Sequence, residues 1–171
     1  MKHRPLPPLE QVEALLEVSA SSPSGLRWKV KRKNRNPGDV AGTCRPSGHW
    51  QVKINNVLYG VHRLIFLLQN KYDPKDAVVD HRLGTQKPLE LRAASRAENR
   101  WNSKKQKNGN SKYKGVYWHK RDKYWGAAIM KEGKRIYASS SRTEIEAALK
   151  YNKLALEHHK EFAVLNKVDE N

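Results

Sequence analysis

The sequence predicts an α+β fold. A small N-terminal β-rich region runs into a strand–loop–strand–helix (ββα) unit, followed by a basic linker and a three-stranded antiparallel sheet packed on one α-helix. Three observations carry that expectation. Short runs alternate apolar with polar residues at period two, as in Trp50-Gln51-Val52-Lys53-Ile54, which marks strands with one open face. Two capping-box signatures, Ser95-Arg96-Ala97-Glu98 and Thr143-Glu144-Ile145-Glu146, announce helices. Between them Lys104 to Lys112 lacks any apolar residue, the composition of a flexible linker. The expected domains are therefore residues 1–103 and 113–171, joined by a linker at 104–112.

Taken in order, Leu6, Leu9, Val12, Leu15 and Leu16 repeat at three to four residues and predict a short amphipathic helix over 6–18. The Ser-rich run Ser19 to Gly25 breaks it. Leu26 to Lys31 alternates as a strand, Asn34 to Gly48 is turn-rich, and Trp50 to Ile54 alternates again. Asn55-Asn56 is a hairpin turn into Val57-Leu58-Tyr59. His62 to Gln69 reads as a short buried helix. Val78 to His81 and Leu89 to Leu91 are short strands on either side of a loop, and the Ser95 box opens a helix over Arg96 to Ser103. Beyond the linker, Tyr113 to His119, Tyr124 to Met130 and Arg135 to Ala138 form an antiparallel meander. The last helix, out to about His159, should bury Ile145, Ala148, Leu149, Asn152 and Leu156 against Trp125, Ala127 and Ile129.

Charge narrows the function. Among 171 residues, 34 Lys+Arg against 17 Asp+Glu leave a net +17, which calls for a polyanionic partner. The charge lies in strand-like and linker segments: Arg27 to Arg35 holds six basic residues and no acid, and Arg100 to Lys123 nine against Asp122. No basic amphipathic helix with a broad apolar face stands out, which argues against a membrane surface, and no apolar run reaches membrane-spanning length. Five Trp and seven Tyr oppose disorder. The lone Cys44 excludes an intrachain disulfide and a zinc site built from Cys pairs. Met1-Lys2-His3-Arg4 is followed by Pro5, Pro7, Pro8 and Glu10 instead of an apolar stretch, so a cytoplasmic, non-secreted protein is expected.

Asp80-His81 at a strand end, with Asn99 on the following helix, is the constellation with chemical content. A carboxylate and an amide oxygen suit a hard divalent cation such as Mg²⁺ (or Mn²⁺). An adjacent imidazole can take a proton from water attacking phosphorus. Alone, an Asp-His pair before a loop is more often a turn with a solvated imidazole.

These residues carry a resemblance. His62-Arg63-Leu64-Ile65, Val79-Asp80-His81, Leu91-Arg92 and Glu98-Asn99-Arg100-Trp101-Asn102 resemble the HNH homing-type endonucleases of bacteriophages. The resemblance implies a ββα-metal nuclease unit, with Asp80 and Asn99 as metal ligands and His81 as general base. Asn102 would face the same side and meet the phosphate. Glu90 stands where the family carries an Asn that orients the catalytic His. It could accept the same hydrogen bond or disturb a shortened loop. Gly25 to Lys29, Val40 to Gly42 and Gly48 to Trp50 look like the N-terminal β-region of this group.

Residues 113–166 are similar to the ethylene-response-factor (APETALA-type) DNA-binding domain, on Tyr113 to Val116, Trp125 to Ile129, Gly133-Lys134, Thr143, Glu146 to Ala148 and Tyr151. That implies a sheet entering the major groove of double-stranded DNA with the face turned away from the helix. By alternation this face carries Lys114, Tyr117, His119, Met130, Arg135 and Tyr137, with Arg135 placed for bidentate base contact and Lys114 for phosphate. Lys104, Lys105 and Lys107 would track the backbone, or serve only as linker. The expectation is a metal-dependent HNH endonuclease on double-stranded DNA, a monomer by preference. The alternatives are a catalytically degenerate DNA-binding regulator of the same parts, and an RNA-binding accessory protein, disfavoured because no clustered exposed aromatics are foreseen on the sheet.

Overall fold

Helix α1 (Leu9–Leu15) ends three residues before the expected stop, because Leu16–Val18 becomes strand β1 and pairs antiparallel with β2 (Leu26–Trp28). The ladder places Leu16 and Trp28 opposite each other, both buried. Ser22 and Ser24, buried in the turn between the strands, donate their hydroxyls to the Leu26 carbonyl at 2.8 and 3.0 Å. In the computed structural model residues 4–82, 87–103, 105 and 109–168 are described. The chain divides into two compact units, Met1–Ala94 and Ser95–Asn171.

The first unit continues with β3 (Thr43–Cys44), β4 (Trp50–Ile54) and β5 (Val57–Gly60), an antiparallel sheet in the order β3-β4-β5. Asn55 and Asn56 both take positive φ, 47° and 62°, as a two-residue type I′ hairpin turn requires and Asn tolerates. Helix α2 (Val61–Asn70) follows at once and buries Val61, Leu64, Ile65, Leu67 and Leu68. Those side chains join Val12, Leu16, Leu26, Val52 and Ile54 in one core. Strands β6 (Val78–His81) and β7 (Leu91–Ala94) close the unit as an antiparallel hairpin. The return strand begins two residues later than expected, and Glu90 stays outside it.

The second unit opens on α3 (Arg96–Trp101). Ser95 accepts from the Glu98 amide and Glu98 accepts from the Ser95 amide, so the predicted capping box is formed. Strands β8 (Val116–His119), β9 (Tyr124–Lys131) and β10 (Lys134–Tyr137) make the meander, β9 central. Helix α4 (Glu144–His159) packs on it. Thr143 caps the Glu146 amide, but the Glu146 carboxylate reaches the Arg142 amide instead of returning to Thr143. The buried row is Ala147, Tyr151, Ala155 and His159, with Ala148 beside it. Ile145, Leu149 and Leu156 were expected inside and are 45%, 47% and 55% exposed. Small alanines let the helix lie close to Ala127 and Ile129, where larger side chains would hold it off. Gly115 (φ +71°) shows how tight this is: a Cβ there would lie 2.2 Å from the Tyr151 ring. Asn152, also expected in the apolar row, instead bonds both main-chain groups of Asn166, whose side chain in turn bonds both main-chain groups of Lys114.

The boundary between the units precedes the expected linker. Helix α3 belongs to the second unit because Trp101 stacks on His159 (ring centroids 4.4 Å, 9° between planes) and Lys114 Nζ donates to the Trp101 and Ser103 carbonyls at its C-terminus. Among the described residues no helix is long and apolar enough to cross a membrane.

Candidate metal centre and nucleic-acid interface

In the first unit the chemistry gathers at the β6–β7 hairpin. Asp80 faces Arg92 across the ladder, and the guanidinium donates from Nε and Nη2 to Asp80 Oδ2 at 3.2 and 3.1 Å. Both side chains are largely buried. The buried pair staples the hairpin.

His81 is the last residue of β6 and half-buried, and its Nδ1 is buried without a hydrogen-bond partner. Burial pushes the imidazole below its ordinary pKa, and His49 nearby adds to the shift. A hydrogen bond with the Lys87 main chain and the Asp80 charge pull the other way. The ring is therefore biased to the neutral form.

His49, His62 and His81 converge, each offering a ring nitrogen, and these atoms lie within 4.8 Å of one another. Adjacent rings in the series are 6.0 and 5.9 Å apart by centroid. This cluster can hold a metal ion. Three elements supply it: the segment before β4, the start of α2 and the end of β6. Gly60, just ahead of α2, sits under the His62 ring, where a Cβ would come within 2.7 Å of Cε1. The three imidazoles line a small pocket shared with Trp50, Val61 and Ile65.

Arg63 positions this region from behind. It is 8% exposed and donates to the Ala77 and Lys75 carbonyls at 2.8 Å each and to Asp73 at 3.3 Å, knotting the loop that delivers β6. In the sequence His62 only opens the buried helix and His49 lies within Gly48 to Trp50, with no ligand role for either. Their separations of 13 and 19 residues match no local ligand motif, so only the fold reveals the trio. Among the described residues the Glu90 carboxylate makes no hydrogen bond to His81. Its main chain bonds Arg82 and Lys87 instead. Asn99 and Asn102 lie on and just after α3, in the second unit. Trp101 is the ring stacked on His159.

In the second unit, register puts Tyr117, His119, Met130, Arg135 and Tyr137 on one face of the sheet, opposite Val116, Ala127 and Ile129, which face α4. Arg135 pairs with Met130 and Tyr137 with Ala128 across β10–β9. Tyr124 joins that face, stacked on His119 at 4.8 Å. Burial raises the Tyr117 phenol, with Tyr124 and Tyr137 adding to the shift. Three tyrosines thus gather where none had been foreseen as a cluster. Lys114 departs from expectation. It precedes β8, and its amine, which burial pushes down to about 8, is spent on the two carbonyls of α3's end. Lys105 is half-buried, and Lys104 and Lys107 lie outside the described residues. Cys44 is an exposed free thiol.

Compared with protein-family models, curated proteins and solved structures, the chain matches none.

Proposed function

We propose that the protein is a metal-dependent endonuclease of the HNH type that hydrolyses phosphodiester bonds in double-stranded DNA. The observation that carries this reading is the element order β6, β7, α3. Asp80 and His81 end the first strand, and Ser95 alone separates the second strand from the capped helix bearing Asn99. His81, neutral and opening on a pocket, is suited to take a proton from the attacking water. Asp80, bonded by Arg92, supplies an oxygen donor of the kind Mg²⁺ or Mn²⁺ prefers. When bound, the ion would stabilise charge at the leaving oxygen. The net charge of +17 and the open sheet face with Arg135 support DNA as the substrate, held chiefly through phosphate contacts.

A supercoiled-plasmid assay in Mg²⁺ or Mn²⁺ tests the proposal. Wild type should relax or linearise the plasmid, and His81→Ala and Asp80→Ala should each lose at least about a hundredfold in rate. Equal cleavage by all three would remove the assigned site. A second reading is a catalytically degenerate DNA-binding protein of the same architecture. It is favoured by one observation: the Asp80 oxygen is engaged by Arg92. Tight duplex binding with no cleavage by wild type would select it.

A further inference from the structure

We propose that His49, His62 and His81 form a tri-imidazole site for a borderline transition-metal ion of the Zn²⁺ class, separate in chemistry from the oxygen-donor site of the nuclease reading. The donor set decides the class. Mg²⁺ and Mn²⁺ favour carboxylate, carbonyl and water oxygens, whereas imidazole suits Zn²⁺, Cu²⁺ and Ni²⁺. The cluster consists of imidazoles alone.

Two nitrogens bound to one tetrahedral ion at 2.0–2.1 Å stand about 3.3 Å apart. The observed spread of 4.8 Å therefore closes by side-chain adjustment of up to about 1.5 Å. Three further features point to a ligand. His81 Nδ1 is a buried polar atom without a hydrogen-bond partner. Gly60 leaves room for the His62 ring against the backbone, where any other residue would displace it. His49 is exposed and gives the ion a way in. Three protein ligands would leave a fourth position for water. The ion would tie together segments 13 and 19 residues apart.

The site has a consequence that rests on the nuclease reading, although binding itself does not. His81 is the proposed base, so an ion on its ring would withdraw it from proton transfer. Zn²⁺ would then inhibit the Mg²⁺-supported reaction.

The test is titration of metal-free full-length protein with Zn²⁺ by calorimetry, alongside Co²⁺ absorption spectra, in excess Mg²⁺. One equivalent should bind, and Co²⁺ should show the intense visible bands of a tetrahedral site. His49→Ala, an exposed position whose loss leaves the core intact, and His62→Ala should each weaken Zn²⁺ at least about a hundredfold, since losing a ligand costs more than losing a partner behind one. His158→Ala should bind as wild type. The proposal is overturned if wild type takes up no Zn²⁺, if His49→Ala binds as tightly as wild type, or if Mg²⁺ displaces the ion. Zn²⁺ binding without any plasmid cleavage in Mg²⁺ supports the site while removing the nuclease reading. Cleavage without Zn²⁺ binding does the reverse.

Discussion

Arg63 shows how one residue fixes the position of a site it does not enter. Its guanidinium is almost fully buried and bonded to two carbonyls and the Asp73 carboxylate. Burial lowers its pKa and the Asp73 partnership offsets that shift. Truncation removes the donor from the Ala77 and Lys75 carbonyls, while Asp73 keeps its bonds from the Leu6 and Lys75 amides. We expect Arg63→Ala to cost about 2–4 kcal/mol in denaturant unfolding of the first unit, because unmade buried hydrogen bonds cost their full desolvation. Arg63→Lys should recover little, since one ammonium cannot replace the planar fork. A loss below about 0.5 kcal/mol would show the loop to be held by other contacts. The same residue illustrates the limit of sequence reading. His62-Arg63-Leu64-Ile65 was legible as a buried helix, but the Arg63 partners lie 10 to 14 residues away, beyond any local pattern.

At the scale of elements, several strands and the two capped helix N-termini were legible because their signals are local. Strand β1 instead lay inside the expected first helix, and β3 inside a turn-rich stretch. Period-two alternation placed β4 to the residue, a short apolar run ending in two polar residues placed β6, Asn55-Asn56 placed the hairpin, and Ser95 and Thr143 placed two caps. Helix α4 misled because its apolar residues were counted by size. The sheet accepts the alanine row and Tyr151, and leaves Ile145, Leu149 and Leu156 outside. His159, at the end of this helix, is 4% exposed and shares its Nε2 with the Met130 carbonyl at 3.0 Å. Its Nδ1 is buried without a partner, so a second proton there would find no acceptor. Burial holds this imidazole below its ordinary value. The Met130 bond opposes the shift, and Lys114, His158 and Lys131 reinforce it. A base whose folded pKa is depressed binds protons more readily when unfolded, so its stability contribution is complete above about pH 6.5 and is lost as pH falls through the lower folded value. The second unit should accordingly melt at lower temperature as pH drops from 7 to 5, and His159→Gln should flatten that slope. An unchanged slope in the variant would assign the effect to other groups.

For the whole molecule, the charge balance and the separate cores give the clearest expectation. A net +17 implies that binding to duplex DNA is dominated by release of counterions, so affinity should fall by about 10³ or more between 50 and 200 mM salt. Filter binding or anisotropy across that range would show it, and a shallow dependence would argue against a phosphate-tracking interface. Single-stranded DNA or RNA of equal length belongs in the same series, because Tyr117, Tyr124 and Tyr137 share the open face and stacked bases favour such a surface. At this scale the candidate site was only half readable. Asp80 and His81 announced themselves as neighbours in sequence. The His49–His62–His81 trio, by contrast, depends on three elements arriving together in the folded unit.

The dividing line after Ala94 sets where this protein can be cut. A fragment starting at Tyr113, the position suggested by the basic stretch, would strip Trp101 from the ring of His159 and take away both carbonyl acceptors of the Lys114 amine. A half-buried ammonium and a bare aromatic surface would be left behind. Starting instead at Ser95 keeps the capped helix with the sheet it belongs to, and that is the smaller piece to expect as a well-behaved, separately expressed module.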